Sequence, residues 1–240
     1  MGDETIYFYI GTDGNANGPA EKALAHSIKL SCSVPYEIEW MDTARGGKDW
    51  QGWNKAGWYT DFSHFRFAIP ELRGFEGRAI YMDVDQIILK DPKELFNLEI
   101  PEDKIWISLD KTRTDVIVYD CFKFKDLAGW PSLKYMKANK QGEHIGHFVK
   151  RIQNYWHPLP HKWCCNDGGV VSDQKNKFVC DPYDKNETSL LHFTQMDWQP
   201  WKPYPKKFSY PPHPHARVES LWWQMYAKAL EEELKNVNSV

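Results

Sequence analysis

The first forty residues place two short apolar runs on either side of a stretch with helical spacing. Residues 5–12 (TIYFYIGT) form an apolar run that ends at Asp13-Gly14, which predicts a buried strand followed by a turn. After a Gly/Asn loop, Pro19 occupies the expected first position of a helix. Its stripe consists of Ala20, Ala23, Leu24, Ser27 and Ile28. Residues 36–41 predict a second strand, so this part of the chain favours a parallel βαβ unit.

The remaining apolar runs extend this α/β pattern. Phe62, Phe65, Ile69 and Leu72 lie on one predicted helical face. Short apolar runs predict buried strands at residues 78–82, 105–108, 116–119 and 190–193. The clearest helix is the last one, whose apolar positions are Val218, Leu221, Trp222, Met225, Tyr226, Ala229 and Leu230.

The chain shows neither an internal repeat nor a linker, so we expect one α/β domain over residues 1–240. Within it, residues 1–194 form the expected core, and residues 195–240 form a closing segment and helix. Residues 198–215 contain six prolines together with Trp, Tyr and Lys. This composition predicts an ordered irregular segment that packs over another part of the molecule.

The composition of the chain excludes some classes of function. Thirty basic and thirty-three acidic side chains give a formal charge of −3, which excludes a polybasic nucleic-acid binder, and we expect no nucleic-acid partner. Hydrophobic residues at 42% and charged residues at 26% are typical of a globular protein. Aromatic residues reach 15%, with twelve each of Trp, Tyr and Phe, and their faces can stack on sugar rings as well as pack a core.

The sequence also carries expectations about the compartment. The N-terminus lacks the pattern of a signal peptide, and no eighteen apolar residues run together, so we expect no transmembrane segment. The five cysteines are an odd number without a CxxC spacing. We therefore expect a cytoplasmic protein with reduced cysteines. Peripheral membrane contact and the oligomeric state stay open.

Asp83 and Asp85 follow the apolar run at residues 78–82. Side chains at i and i+2 of an extended segment point to the same side, so both carboxylates can face one cleft. Ligands of open α/β sheets bind beyond the carboxyl ends of the strands, where this pair lies. Two adjacent carboxylates repel each other unless a positive group lies between them, and a divalent cation suits that position. The structural alternative is a solvated acidic turn.

The run from Phe62 to Phe96 resembles the core of nucleotide-sugar glycosyltransferases with the GT-A fold. The likeness is to family eight, which includes glycogenin and the lipopolysaccharide galactosyltransferases. The matching positions are Tyr81, Asp83, Asp85, Asp91, Leu95 and Phe96, and Arg66 lies seventeen residues before Asp83, as the sugar-contacting Arg of the family does. The resemblance implies a Rossmann-like, mostly parallel central sheet flanked by helices in a single domain.

A second stretch resembles the C-terminal element of the same family, an apolar strand and His followed by Lys-Pro-Trp. Here Leu190–Phe193 (LLHF) is followed by Gln199-Pro200-Trp201, with one additional residue in between. The resemblance implies that His192 joins Asp83 and Asp85 as the third metal ligand. Gln199 stands in the place of the Lys that reaches the diphosphate, and Lys202 is the candidate that supplies this charge instead.

The resemblance implies further binding residues. Gly11, Thr12 and Asp13 lie where the family holds the uracil and ribose, and Asn15 replaces its base-stacking Tyr. Val84, between the two metal-binding Asp residues, is expected to contact the nucleotide. Asp110, at the end of the run IWISLD, is a candidate catalytic residue and sugar contact together with Arg66, and Asp83 is expected at the sugar as well. The Asn-x-Gly-Val element of the family is Arg113-Thr114-Asp115-Val116 here, which indicates a different donor sugar.

These observations favour a glycosyltransferase that moves a sugar from a nucleotide donor, with UDP as the expected nucleotide, to a carbohydrate, lipid or protein acceptor. A set of two carboxylates and one imidazole suits Mn²⁺ somewhat better than Mg²⁺. The family implies retention of anomeric configuration. Two alternatives stay open. The first is a phosphohydrolase of the haloacid-dehalogenase type, with Asp83 as nucleophile and Asp85 as acid. The second is a sugar-binding protein without catalysis that uses its Trp residues.

Overall fold

A computed structural model of the chain describes most of its residues. They are residues 5–43, 45, 47–58, 60–109, 113–127, 130–140, 153–167, 171–173, 176–178, 183–194, 199–202 and 216–238, with the backbone alone described at 15, 171–173, 176–178 and 216. These residues form two compact units. The first comprises residues 1–14, 34–83 and 93–159, and the second comprises residues 15–33, 84–92 and 160–240.

The chain contains both strands and helices, and several strands follow one another without a helix between them. The strands are β1 Ile6–Gly11, β2 Tyr36–Met41, β3 Arg78–Asp83, β4 Gln86–Ile88, β5 Trp106–Ser108, β6 Val116–Asp120, β7 Trp156–Pro158, β8 Cys165–Asn166, β9 Val171–Asp173, β10 Asn176–Phe178 and β11 Leu190–His192. The α-helices are α1 Gly14–Ser31, α2 Ile69–Leu72, α3 Pro92–Phe96, α4 Leu133–Ala138 and α5 Ala216–Val237. Short 3₁₀ helices cover Lys48–Trp50, Phe65–Ala68, Cys121–Phe124, Gln153–Tyr155 and His161–Trp163.

The first unit contains a six-stranded sheet with the order β2-β1-β3-β6-β5-β7. The pairs β1–β2, β1–β3 and β5–β7 are parallel, whereas β3–β6 and β5–β6 are antiparallel. The central strands read as nearly continuous apolar runs because both of their faces are buried. The sheet is therefore mostly parallel, which confirms the fold class that the sequence predicts.

One face of this sheet carries the aromatic core of the first unit. Tyr9, Tyr81 and Ile117 lie side by side across β1, β3 and β6. The short helical segment from Phe65 to Leu72 and the loop that holds Trp50 and Trp53 pack in the same core. Both indoles are almost fully buried, and Trp50 Nε1 donates to Glu39 Oε1 at 2.6 Å. These two Trp residues therefore belong to the core, which removes their support for the sugar-binding alternative.

The second unit contains a three-stranded sheet with the order β4-β11-β8. β11 pairs antiparallel with β4, which sets His192 opposite Gln86, and it pairs parallel with β8. The N–H of Ile88 donates to Ser27 Oγ of α1 at 3.0 Å, so β4 is fastened to that helix. Helices α1 and α5 are joined by an ion pair between Lys22 and Glu233 at 2.6 Å.

Two local predictions about helices are wrong. Helix α1 begins at Gly14 and contains Pro19, although the sequence predicts a loop up to Pro19. The fixed φ of proline suits a helix, and the only backbone hydrogen bond lost is the one to a carbonyl near the helix N-terminus. The predicted helical face from Phe62 to Leu72 is a 3₁₀ helix followed by a single α-helical turn. None of the described helices is both long and apolar enough to cross a membrane.

Candidate functional site

The first group of candidate functional side chains lies in the first unit. It consists of Arg66, Tyr81, Asp83 and Thr114, which we call the Arg66 cluster. Arg66 Nη2 donates to Asp83 Oδ1 at 3.2 Å, and the Tyr81 hydroxyl donates to the same carboxylate oxygen. Arg66 Nη1 donates to the carbonyl and the hydroxyl of Thr114, the latter at 2.8 Å. The guanidinium also lies 4.4 Å from the centre of the Tyr81 ring. The cluster thus fixes the carboxylate at the end of β3.

Burial makes the charges of this cluster interdependent. The side chains of Arg66 and Asp83 are 9% and 16% exposed. Burial alone would lower the pKa of Arg66, but the Tyr81 oxygen and the carboxylates of Asp83 and Asp115 outweigh it, and the net pKa is raised. The pKa of Tyr81 is also raised, chiefly because the ring is buried. Arg66 therefore stays charged and balances the charge of Asp83.

The segment 113–115 is attached to the same strand end. The N–H of Asp83 donates to the Asp115 carbonyl at 3.1 Å. The Arg113 guanidinium donates twice to Asp115 Oδ2, at 2.9 and 2.5 Å. Thus Asp115 is tied directly to Asp83, Arg113 is tied to it through Asp115, and Thr114 is tied to it through Arg66. The sequence analysis did not identify the Arg66–Thr114 contact, because nothing in the sequence pairs residues 48 positions apart.

The second group lies in the second unit, and we call Asp85, His192 and Gln199 the Asp85 cluster. Asp85 directly precedes β4, and His192 ends the neighbouring strand β11. His192 Nε2 lies 3.1 Å from Asp85 Oδ1. The N–H of Phe193 donates to the Asp85 carbonyl at 2.8 Å, which fixes the two backbones next to the side-chain contact. Strand pairing thus brings together two residues 107 positions apart.

The chemistry of the Asp85–His192 pair fits a divalent cation. Asp85 Oδ1 is buried and accepts no hydrogen bond from the described residues, although the imidazole nitrogen is only 3.1 Å away. Two ligands at about 2.1–2.2 Å from one cation and at right angles to each other lie about 3 Å apart. The observed separation therefore suits two ligands of a shared ion.

Gln199 supplies the second contact of the Asp85 carboxylate. Its Nε2 donates to Asp85 Oδ2 at 3.0 Å and to the Phe193 carbonyl at 2.8 Å. The side chain is almost fully buried, and its Oε1 has no hydrogen-bond partner among the described residues. Each oxygen of Asp85 thus faces a different group. The sequence resemblance identified the position of Gln199 but gave no indication of these contacts.

The predicted nucleotide residues lie at strand ends and at the start of α1. Gly11 ends β1 opposite Asp83 of β3, and a Cβ there would lie 2.6 Å from Phe62 and 2.8 Å from the Tyr81 hydroxyl. Only glycine therefore allows the Tyr81 hydroxyl to reach the end of β3. Thr12 is buried, and its N–H donates to the Met41 carbonyl at 3.3 Å.

The other predicted nucleotide residues are described in less detail. Asp13 is half-buried directly before α1, and the backbone of Asn15 lies in the first turn of that helix. Val84 is buried between the two aspartates, and Lys202 is half-buried in the turn after Trp201. Asp110, the candidate catalytic residue and sugar contact, lies outside the described residues.

The sequence analysis did not single out Arg45. Arg45 Nε donates to Asp42 Oδ2 at 2.7 Å, and the side chain of Asp42 is only 2% exposed. A Cβ on Gly14 would lie 1.8 Å from Arg45 Nη2, so the guanidinium packs directly on the backbone after β1. About half of the Arg45 side chain is exposed. No pattern in the sequence indicates this contact, because it depends on the parallel pairing of β1 and β2.

The chain has the GT-A glycosyltransferase fold, as the sequence resemblance implies. It is similar to the galactosyltransferase LgtC in complex with donor and acceptor sugar analogues, with a TM-score of 0.62 at 9% identity, over 93% of this chain and 96% of that one. It is also similar to the glycosyltransferase GlyE of Streptococcus pneumoniae TIGR4, with a TM-score of 0.61 at 14% identity, over 98% of this chain and 64% of that one. At these identities the similarity concerns the fold.

Further comparisons cover less of the known protein. The apo bifunctional glycosyltransferase WbbM matches with a TM-score of 0.61 at 12% identity, over 83% of this chain and 47% of its own. Protein CDI of Arabidopsis thaliana is 36% identical over 75 residues, which are 30% of this chain and 29% of that protein. The chain therefore matches less than a third of the curated relative. No family model matches the chain. The phosphohydrolase alternative is not favoured, since the solved structures LgtC, GlyE and WbbM, which share this fold, are glycosyltransferases.

Proposed function

We propose that this protein is a metal-dependent glycosyltransferase that moves a sugar from a UDP-sugar to an acceptor with retention of configuration. The observation that carries the proposal is the 3.1 Å contact between Asp85 and His192, directly after Asp83, in a chain with the GT-A fold. The fold supports sugar transfer, and the paired ligands support its dependence on a divalent cation.

In this proposal Asp83, Asp85 and His192 hold Mn²⁺ or Mg²⁺. The bound cation supplies Lewis-acid stabilisation of the charge that develops on the leaving nucleoside diphosphate. Asp85, directly before β4, would bring one oxygen, and His192, at the end of the neighbouring strand β11, would bring one nitrogen. Asp83 brings a carboxylate whose orientation is set by Tyr81 and Arg66.

The Arg66 cluster orients the donor in this proposal. The guanidinium donates hydrogen bonds from Nε to Ser63, from Nη1 to Thr114 and from Nη2 to Asp83. It therefore chiefly holds these groups in place. We expect Arg66 and Asp83 to meet the donor sugar at the exposed edge of the cluster. Gly11, Thr12, Asp13, Asn15 and Val84 are expected to hold the nucleoside, and Lys202 the diphosphate. Asp110 is the proposed catalytic carboxylate at the sugar.

The experiment is a binding and turnover screen with the purified chain. UDP binding is measured by calorimetry with and without Mn²⁺, and a panel of nucleotide sugars is then tested for hydrolysis. We expect tight UDP binding only with Mn²⁺, and hydrolysis of at least one donor. Asp85→Asn should abolish both, whereas the exposed Asp126→Asn is the matched control and should retain both. Metal-independent UDP binding would contradict metal dependence, and binding without turnover of any donor would support a sugar-nucleotide-binding protein without catalysis.

A further inference from the structure

Gln199 contacts Asp85, a proposed metal ligand, and the side-chain amide of Gln199 is neutral. Its amide nitrogen has two hydrogens, and both are used, at 3.0 Å to Asp85 Oδ2 and at 2.8 Å to the Phe193 carbonyl. Phe193 directly follows His192 in the chain. One buried amide therefore contacts the ligand Asp85 and the backbone next to the ligand His192.

These bonds determine how the Asp85 carboxylate is turned. With Oδ2 held by Gln199, Oδ1 faces His192 Nε2. Rotation of the carboxylate would break the bond to Gln199, and a hydrogen bond to a charged acceptor is stronger than one between neutral groups. The amide thus favours the orientation in which Asp85 and His192 can share a cation.

Gln199 is itself held by the short turn that contains it. The N–H of Lys202 donates to the Gln199 carbonyl at 3.1 Å, which closes the turn. Trp201 Nε1 donates to Asn17 Oδ1 at 3.1 Å, and its ring lies 5.4 Å from that of Trp222 and 6.3 Å from that of Phe193. The turn is therefore anchored to α1, to α5 and to the end of β11.

We propose that Gln199 is a positioning residue of the metal site, which orients Asp85 and couples the turn 199–202 to cation binding. This inference rests on the proposed function. A neutral amide holds Asp85 without balancing its charge, so the full negative charge remains available to the cation. A lysine at this position would donate to the same oxygens but would compete with the cation for the carboxylate.

The test compares variants that separate the hydrogen bond from the charge. Gln199→Met keeps the length of the side chain and removes both hydrogen bonds, and Gln199→Lys keeps a donor and adds a charge. The matched control is Gln224→Met, which changes an exposed glutamine on α5. Mn²⁺ binding without nucleotide is measured from the electron paramagnetic resonance signal of free Mn²⁺, and thermal unfolding is recorded without metal.

We expect both Gln199 variants to lose about 10- to 100-fold in Mn²⁺ affinity, the range typical of groups that orient metal ligands. The control should bind as the wild type does. A merely structural role would change the unfolding temperature of Gln199→Met but not the affinity of its folded form. Unchanged Mn²⁺ affinity in Gln199→Met would overturn the inference, while the proposed function would stand as long as the wild type binds Mn²⁺.

Hydrogen exchange on the wild type tests the coupling even if a variant does not fold. Mn²⁺ should slow exchange in a peptide that covers residues 199–202, because Asp85 is then fixed and Gln199 with it. The amides of α4, in the first unit, serve as the internal reference. Equal exchange at 199–202 with and without Mn²⁺, in a sample shown to bind the ion, would refute the coupling. A wild type that binds no Mn²⁺ would instead refute the metal site of the proposed function.

Discussion

The two aspartates of the motif Asp83-Val84-Asp85 differ in the groups that surround them. Asp83 accepts hydrogen bonds from a permanent cation, Arg66, and from the Tyr81 hydroxyl. Asp85 faces the imidazole of His192 and the neutral amide of Gln199. One carboxylate therefore has its charge balanced by the protein, whereas the other has no permanent positive charge in its described contacts. This difference teaches that two positions of one short motif can have separate purposes: Asp83 is part of a charge-balanced cluster, and Asp85 is left mainly to the ligand binding that we propose.

The largest expected effect concerns the Arg66 cluster. Arg66→Met should destabilise the fold by about 3 kcal/mol, because it leaves the largely buried carboxylate of Asp83 without its cation. The free energy of unfolding is measured by urea denaturation. Arg217→Met, at an exposed position of α5, is the control and should change it by less than about 0.5 kcal/mol. Equal stability of Arg66→Met and the wild type would show that the cluster contributes nothing to the fold.

The Asp85 cluster should respond in the opposite way. Asp85→Asn removes a metal ligand and an unbalanced charge, so Mn²⁺ affinity should fall at least about 100-fold, which corresponds to about 2.7 kcal/mol. The free energy of unfolding without metal should stay the same or rise, because no buried cation loses its partner. Calorimetry measures the Mn²⁺ affinity, and urea denaturation measures the free energy of unfolding. A strong loss of stability in Asp85→Asn would erase the contrast between the two aspartates.

Arg66→Lys separates charge from geometry. Lysine keeps the positive charge but cannot reach Ser63, Thr114 and Asp83 at the same time, as the planar guanidinium does. We expect at least about tenfold lower donor turnover with UDP affinity nearly unchanged, because Asp83 and Thr114 lose their fixed positions. Steady-state kinetics with the donor identified by the screen provides the measurement. Full activity in this variant would remove Arg66 from the site.

The smallest expected effect is a pH dependence of stability that arises in the core of the first unit. Burial raises the pKa of the Cys121 thiol in the core of the first unit to about 12, from 9.0. In the unfolded chain the thiol ionises near pH 9, so between pH 9 and 12 the folded state holds a proton that the unfolded state has lost. This contribution to stability is fully present below pH 9 and decreases as pH rises. Buried tyrosines with raised pKa values, such as Tyr119, act in the same direction.

Cys121→Ala isolates the cysteine contribution. From pH 9 to pH 10 the wild type should lose about 1 kcal/mol more stability than the variant, since each pH unit corresponds to at most 1.36 kcal/mol for one group. Urea denaturation at both pH values measures the difference, and the tyrosines cancel because both proteins contain them. Parallel pH dependences of the two proteins would show that the thiol is not protected from ionisation.

Much of the fold could be predicted because β1, β3 and β6 are nearly continuous apolar runs and β2 alternates apolar and acidic residues. β1, β2, β3 and β6 each have five or six residues, and all four were predicted within one residue at each end. β4 and β8, with three and two residues, were not predicted, and β4 follows the acidic motif directly. The start of α1 could not be predicted, since Gly14 and Pro19 are both poor helix formers in isolation.

The candidate site shows a similar division. The positions of Asp83, Asp85 and His192 could be selected from the sequence because each follows an apolar strand in a recognisable element. The contact between Asp85 and His192 depends on the pairing of β4 with β11, which no local pattern determines. The contacts of Arg66 with Thr114 and of Gln199 with Asp85 join residues 48 and 114 positions apart. They depend on tertiary structure and could not be predicted.

The pairing of His192 with Gln86 also determines which changes of chain length the protein can accept. Successive side chains of a strand point to opposite faces, so one residue inserted between Leu190 and His192 would turn the imidazole away from Asp85. A residue inserted between Asn166 and Leu190, where the chain connects two parallel strands, leaves this alternation intact. Homologous proteins with a working site should therefore vary in length before Leu190 and keep a constant number of residues from Leu190 to His192.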